Sequence, residues 1–185
     1  MDIPVVVQHR HVHLSEVDWQ TLFGEELPMS VRELEHRGQY VSEHCLKIIG
    51  ETGTFDCVRV LGPYRSSTQV ELSASDAFAI GIDAPVRISG DLVRAGTCEL
   101  KGTVGTVKAV ASTIIPARHL HCSTKSADQL KVAHLDVVSL RIVQTGQIIQ
   151  NVVVRVHPTF ATAFHPSKDE AAEWWLQTGD HVTIV

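Results

Sequence analysis

Two stretches decide how this chain folds: Arg10-His11-Val12-His13-Leu14-Ser15 and, about a hundred residues later, Arg118-His119-Leu120-His121-Cys122-Ser123. Alternate side chains of a β-strand point to the same face, so the two imidazoles of each copy can bind a single cation. The Ser that ends each copy precedes a helix-forming run and is predicted to be its N-cap. The chain is therefore predicted to build one strand-to-helix corner twice.

The duplication is what makes these histidines informative. A lone H-x-H pair is weak evidence, because two histidines at a protein surface or at the edge of a core are commoner than a ligand pair. Here both copies keep the same Arg and Ser around the histidines. Core packing selects side-chain volume rather than imidazole, and so does not explain the repeat. We predict that both copies bind metal.

Composition limits the class of protein. The chain has 185 residues with 44% hydrophobic and only 5% aromatic side chains, which favours one large or two small domains built from β-branched strands. A net charge of -5 argues against a nucleic-acid or anionic-membrane partner. There is no run of ~20 apolar residues and no signal-peptide pattern at the start, so a cytoplasmic protein is expected.

Alternating segments separated by Gly-containing turns predict three β-hairpins. They lie at residues 46–50 with 54–61, 98–102 with 106–115, and 137–143 with 147–156. Further strands are predicted at 3–8 and 182–185, and short helices at 15–23, 74–80 and 168–176, with Gly24 ending the first helix. Residues 25–44 are too polar and irregular to assign. The pattern as a whole is typical of a mostly β protein.

Two more side chains are candidates for the metal sites. Glu71 lies on an alternating segment, where it shares one face with Gln69 while Val70 and Leu72 share the other. It is either a ligand or a solvated carboxylate on an edge strand. His165 precedes a predicted helix, as His121 does, and is a candidate third ligand. We interpret the other histidines as surface or structural residues: His9, His36, His44, His134, His157 and His181.

The cysteines show no C-x-x-C pair, and we predict that all four are reduced and mostly buried: Cys45, Cys57, Cys98 and Cys122. Cys122 follows His121 directly, so a role as a soft ligand or an oxidation site is one alternative. On a strand, however, neighbouring side chains face opposite sides. Cys122 is therefore expected to point away from the histidines.

Taken in order, the motifs resemble those of the phosphate propanoyltransferase family, zinc-dependent phosphotransacylases associated with propanediol-utilisation microcompartments. Besides the first H-x-H stretch, the resemblance rests on Leu-Gly-Pro-Tyr-Arg-Ser-Ser-Thr-Gln-Val-Glu-Leu-Ser (61–73), Gly-Ile-Asp-Ala-Pro-Val-Arg (81–87), Ser-Gly-Asp (89–91), Ala-Arg-His-Leu-His (117–121) and Asn-Val-Val-Val-Arg-Val (151–156). It covers residues 4–185.

The resemblance implies two small β-barrel domains, each capped by short helices, with the active site at their interface. One domain would be an insert of residues 11–116, and the other would join residues 1–10 to residues 117–185. The implied activity is reversible transfer of a propanoyl or acetyl group between coenzyme A and inorganic phosphate. Acyl-CoA, phosphate and acyl phosphate would be the small-molecule partners, and a homodimer is compatible with this family.

The resemblance also implies a ligand set for two Zn²⁺ ions per chain. Carried over residue by residue, the first zinc would be held by His11, His13 and Glu71, and the second by His119, His121 and His165. The residue that contacts phosphate in the family corresponds to Arg65. All seven positions hold the expected residue.

The chain departs from the family pattern at three places beside the site: Gln8-His9 in place of Ser-Asn, Cys122 in place of Met, and residues 166–173 after the last His. These departures bear on acyl-chain preference and on the loop around His165. Microcompartment members carry a targeting extension for which this chain has no room, so a free cytoplasmic enzyme is expected.

Two rival functions use similar residues. A non-catalytic metal-binding module would be expected to lack a ligand or Arg65, yet all are present. A cupin-like metalloenzyme also uses H-x-H and Glu on a β-barrel. Here, however, Glu16 follows His13 too closely for the cupin spacing, and a duplicated H-x-H is not the cupin pattern.

Overall fold

The computed structural model describes all 185 residues, which form two compact units. The first unit comprises residues 10–34 and 38–116, and the second comprises residues 1–9, 35–37 and 117–185. Strands hold 45% of the residues and helices 15%, so the prediction of a mostly β fold with barrel-forming sheets and few short helices is confirmed. None of the helices has the length and apolar character that a membrane-spanning helix needs.

The elements follow in chain order. The second unit supplies β1 (Ile3–Pro4). The first unit then runs through β2 (His11–Ser15), α1 (Glu16–Phe23), β3 (Ser30–Glu33), β4 (Tyr40–Ile49), β5 (Thr54–Arg65), β6 (Gln69–Glu71), α2 (Ala74–Ala79), β7 (Val86–Arg87), β8 (Gly96–Lys101) and β9 (Thr106–Pro116). The second unit continues with β10 (His119–Cys122), α3 (Thr124–Leu130), β11 (Val137–Ile142), β12 (Ile148–Val156), β13 (Ala163–His165), α4 (Lys168–Glu173) and β14 (His181–Ile184).

The strands of the first unit pair in a closed ring in the order β2-β6-β9-β8-β4-β5, with β5 returning to β2. β3 and β7 attach outside the ring to β4 and β9. The H-x-H strand β2 lies between β5, to which it is parallel, and β6, to which it is antiparallel. Its histidines therefore stand next to the polar face of β6.

The second unit forms a ring of the same kind, in the order β10-β13-β1-β14-β11-β12, with β12 returning to β10. The ring closes just beyond β1, where Val5 bridges Phe164 in parallel and the Val6 amide donates to the Phe164 carbonyl at 2.9 Å. The H-x-H strand β10 again has a parallel neighbour, β12, and an antiparallel neighbour, β13. Each strand of one ring thus has a counterpart in the other.

The same local rules form the corner in both units. The side chains of Ser15 and Ser123 accept a hydrogen bond from the backbone amide three residues on, which caps α1 and α3 as predicted. The residues between the histidines, Val12 and Leu120, point the other way and are fully buried in the two hydrophobic cores. Each H-x-H strand is therefore fixed on one face by apolar packing.

The three predicted hairpins are present as β4 with β5, β8 with β9 and β11 with β12. Gly24 ends α1 with a positive φ of 70°, also as predicted. The predicted helix 168–176 is shorter than expected. It ends at Glu173, and Trp175 adopts the left-handed region with φ of 55°. The unassigned stretch 25–44 contains β3 and the start of β4.

One cysteine prediction is wrong. Cys45 and Cys57 form a disulfide between β4 and β5, with their Cα atoms 5.2 Å apart. The prediction considered only short spacings, whereas antiparallel pairing of β4 and β5 brings together two residues that are 12 apart in sequence. Cys98 and Cys122 are free and buried, as expected.

Candidate metal centres

The first cluster, which we call the His11 cluster, consists of His11, His13 and Glu71. Strand pairing places His11 directly opposite Glu71 across β2 and β6. The two imidazole centroids lie 5.0 Å apart, and His11 Nε2 is 3.3 Å from Glu71 Oε2. One potential ligand atom of each residue lies within 4.8 Å of those of the other two. Two nitrogens and a carboxylate oxygen thus converge, as in a catalytic zinc site.

Charge and burial shift the pKa values of two residues in the His11 cluster. Burial, together with the nearby His11 and Arg65, holds the pKa of His13 well below its ordinary value. Burial would raise the pKa of Glu71, but His11, His13, a hydrogen bond from Ser89 and Arg65 lower it to about 2. At neutral pH the cluster therefore offers a neutral imidazole and an ionised carboxylate, the states that bind metal.

A polar network holds the carboxylate in place. Gln69 Nε2 donates to Glu71 Oε1 at 2.5 Å and lies 2.9 Å from Ser89 Oγ, while the Gly90 amide donates to Gln69 Oε1 at 2.8 Å. Arg65, at the end of β5, donates to the same Ser89 hydroxyl at 3.2 Å. Arg65 therefore belongs to the immediate surroundings of the His11 cluster.

The second cluster, which we call the four-histidine cluster, contains His36, His119, His121 and His165. His119 lies opposite His165 across β10 and β13, and their rings stack with centroids 5.2 Å apart. His121 has its ring centroid 4.6 Å from each of these two rings. His119 Nδ1 lies 2.8 Å from the Ala117 carbonyl, which only accepts. This hydrogen bond places the ring proton on Nδ1 and leaves the Nε2 lone pair for a metal.

His36 was interpreted from the sequence as a surface or structural residue, and the structure places it among the candidate metal ligands. It is 8% exposed, and its Nε2 lies 2.8 Å from His121 Nδ1. The compact set of potential ligand atoms within 4.8 Å consists of His36, His121 and His165, with His119 beside them. Residue 36 lies in the unassigned polar stretch without an H-x-H neighbour, so nothing local marked it.

The chemistry of both clusters fits a bound divalent metal. Nitrogen and carboxylate donors are the ligands of catalytic zinc. The atoms His13 Nδ1 and His121 Nε2 are buried and have no hydrogen-bond partner, an arrangement that a cation would relieve. Burial and the neighbouring histidines lower the pKa of His121 far below its ordinary value, so its imidazole is neutral.

Cys122 takes no part in the four-histidine cluster. Its side chain is fully buried in the hydrophobic core on the opposite face of β10, as predicted. Burial raises the pKa of its thiol to about 11. A protonated thiol in a core is neither a metal ligand nor a nucleophile.

The chain is similar to known proteins over nearly its whole length. The family model "Phosphate propanoyltransferase" matches residues 4–177. The chain is 43% identical to a phosphate propanoyltransferase of Thermotoga maritima over 187 aligned positions, covering 99% of this chain and 89% of the relative. It is 39% and 37% identical to those of Citrobacter rodentium and Salmonella typhimurium, with 91% of this chain and 81% of each relative covered. On this evidence the chain belongs to the phosphate propanoyltransferase family.

Proposed function

We propose that this protein reversibly transfers a short acyl group, propanoyl or acetyl, between coenzyme A and inorganic phosphate. Family membership over nearly the whole chain supports acyl transfer between these two carriers. The observation that carries the proposal is the presence, in a member of this family, of Arg65 beside a His-His-carboxylate cluster. Neither the non-catalytic nor the cupin-like alternative is favoured by these comparisons.

We propose further that two Zn²⁺ ions are resident, one at each cluster. His11, His13 and Glu71 would hold the first, and His119, His121 and His165 the second. Three protein ligands leave a coordination position open, as catalytic zinc requires. When bound, zinc would act as a Lewis acid toward phosphate or carbonyl oxygen and stabilise the departing thiolate.

Arg65 is proposed to bind and orient phosphate. Its planar guanidinium offers two parallel N–H donors that match two phosphate oxygens. Arg65 reaches the Ser89 hydroxyl at 3.2 Å, and its charge lowers the pKa values of both His13 and Glu71. Phosphate held by Arg65 would therefore lie close to the His11 cluster.

Direct attack by phosphate is preferred to an acyl-enzyme. A phosphate oxygen would attack the thioester carbonyl carbon, the carbon–sulfur bond would break, and the thiolate would leave and take up a proton from solvent. Both free thiols, Cys98 and Cys122, are buried, and burial raises the pKa of each. Neither thiol is thus suited to act as a nucleophile at neutral pH.

The test is thiol release from propanoyl- or acetyl-coenzyme A with and without inorganic phosphate. We expect release only when phosphate is present. Arg65→Ala is expected to raise the KM for phosphate about 10–100-fold through loss of charge-assisted hydrogen bonds, with zinc content unchanged. Arg59→Ala is the matched control, because Arg59 lies on the same strand and donates only to the Glu43 carbonyl at 2.7 Å.

Two results would contradict the proposal. Equal thiol release without phosphate would identify a thioesterase rather than a transferase. A fall in zinc content of Arg65→Ala as large as that of His119→Ala would mean that Arg65 has a structural role in the metal site.

A further inference from the structure

His36 lies against a ligand of the four-histidine cluster without belonging to either H-x-H strand. Its ring centroid is 4.5 Å from that of His121, with the two rings at 73°, and its Nε2 is 2.8 Å from His121 Nδ1. The distance and the edge-on geometry are those of a ring-to-ring hydrogen bond. His36 thus contacts the nitrogen of His121 that faces away from the buried Nε2.

The ring of His36 is held from both ends. The Ala161 amide lies 3.3 Å from His36 Nδ1, and the next residue, Arg37, donates its own amide to the Thr159 carbonyl at 3.1 Å. Phe160 packs on both imidazoles, 5.0 Å from the ring of His36 and 4.0 Å from that of His121. These contacts therefore fix the position of the His36 ring relative to that of His121.

The proton positions follow from these contacts. With Nδ1 accepting from Ala161, the neutral His36 ring carries its proton on Nε2 and donates it to His121 Nδ1. His121 then carries its own proton on Nε2, which is buried without a hydrogen-bond partner. This arrangement leaves a donor unsatisfied in the core, which is costly.

A cation at His121 Nε2 would remove that conflict. With the Nε2 lone pair on a cation, His121 would carry its ring proton on Nδ1 and donate it to His36 Nε2. His36 would then carry its own proton on Nδ1, and its long contact with Ala161 would be lost. Each ring keeps one proton, so no proton is gained or released. Hydrogen bonding of a ligand's second nitrogen is how proteins orient metal-binding histidines.

Resting on the zinc site proposed above, we infer that His36 is a positioning residue for His121, and that both rings exchange tautomers when the metal binds. Direct ligation by His36 fits the geometry less well. Two nitrogen ligands of a tetrahedral zinc lie about 3.3 Å apart, whereas the observed separation of His36 Nε2 from His121 Nδ1 is 2.8 Å.

The experiment measures Zn²⁺ retention by the full chain against a competing chelator. His36→Leu removes the acceptor and is expected to lower the affinity for one of the two Zn²⁺ ions about 10–100-fold. His36→Gln keeps an acceptor and should stay within about threefold of wild type. Both variants should keep the ion at the His11 cluster, which lies in the other unit. His181→Leu, an exposed histidine of the same unit, is the control.

Nitrogen NMR of the imidazoles supplies the second readout. Adding zinc to the metal-free protein should move the His36 proton from Nε2 to Nδ1. Unchanged zinc affinity in His36→Leu would overturn the inference, as would a His36 proton that stays on Nε2. Complete loss of one ion in both His36 variants would show that His36 is a ligand instead. A wild type that binds no zinc at this cluster would overturn the zinc assignment itself, a different result from an insensitive His36→Leu.

Discussion

The two units contain the same strand-to-helix corner but place different candidate ligands beside it. In both, the first histidine of an H-x-H strand faces the last ligand candidate on an antiparallel neighbour: His11 faces Glu71, and His119 faces His165. In both, a Ser two residues after that last candidate caps the next helix, as Ser73 and Ser167 do. The scaffold is thus shared, while the donor at the third position is not.

The change of donor alters the charge of the site. A divalent cation bound by two neutral imidazoles and the carboxylate of Glu71 would keep a net charge of +1, whereas one bound only by neutral histidines would keep +2. The surroundings differ as well, since Gln69, Ser89 and Arg65 surround the His11 cluster, while Phe160 packs on His36 and His121 of the four-histidine cluster. Duplication of a scaffold therefore produces two sites with different electrostatic properties.

The largest expected effect comes from removing one ligand in each unit. His13→Ala and His121→Ala should each lose one of the two proposed zinc ions and retain the other. Acyl transfer should fall about 10³-fold or more in both, because the stabilisation that a metal supplies is worth several kcal/mol. Metal analysis and thiol release measure the two quantities, with exposed His134→Ala as control. Loss of both ions in a single variant would show that the clusters are not independent sites.

A ligand exchange tests the charge difference directly. Glu71→His gives the first unit the three-histidine set proposed for the second. We expect this variant to keep both proposed zinc ions but to bind one of them about tenfold more weakly, since one charge is lost. Glu71→Leu should lower the affinity for that ion on the order of 10²-fold or more, because a proposed ligand is lost. With the pKa of Glu71 at about 2, its charge is present in any neutral assay. Equal affinities of wild type and Glu71→His would mean that the charge of residue 71 is unimportant.

The smallest effects are expected at a repeated ion pair. Arg10 pairs with Asp76 at 3.0 Å, and Arg118 pairs with Glu170 at 2.7 Å. In each unit the Arg lies just before the H-x-H strand, and the acidic residue lies in the first turn of α2 or α4. Asp76→Asn should lower the free energy of unfolding by about 2 kcal/mol and Glu170→Gln by about 1 kcal/mol. The order follows burial, since the acidic side chains are 4% and 19% exposed.

Urea unfolding measures both changes at the ion pairs. The control is Asp56→Asn, whose pair with Lys47 is largely exposed and should contribute about 0.5 kcal/mol or less. If Glu170→Gln lowers the free energy of unfolding more than Asp76→Asn does, burial of the acidic side chain does not set the strength of these pairs.

Much of the corner could be predicted from short stretches. The shared face of His11 and His13 follows from strand alternation, and the cap at Ser15 follows from its position before a helix-forming run. The Gly-bounded turns likewise marked the hairpins. The side of Cys122 was predicted for the same reason, since neighbours on a strand face opposite ways.

The one wrong prediction, and the contacts that no prediction covered, involve residues brought together from distant parts of the chain. The Cys45–Cys57 disulfide depends on the antiparallel pairing of β4 and β5. The contact of His36 with His121 joins residues 85 apart, and no local pattern in a polar stretch indicates it. The closure of the second ring likewise depends on residues from the two ends of the chain, Val5 and Phe164.

The amino-acid sequence by itself determined which residues alternate, where helices begin and which side chains have metal-binding chemistry. Each of these depends on neighbours within a few positions, through backbone geometry and a single capping hydrogen bond. Only the tertiary structure decided that two rings share one strand order, that Glu71 and His165 occupy equivalent positions, and that His36 lies beside His121. Those outcomes depend on pairing between distant strands, whose partners are selected by the burial of the whole core rather than by any local pattern.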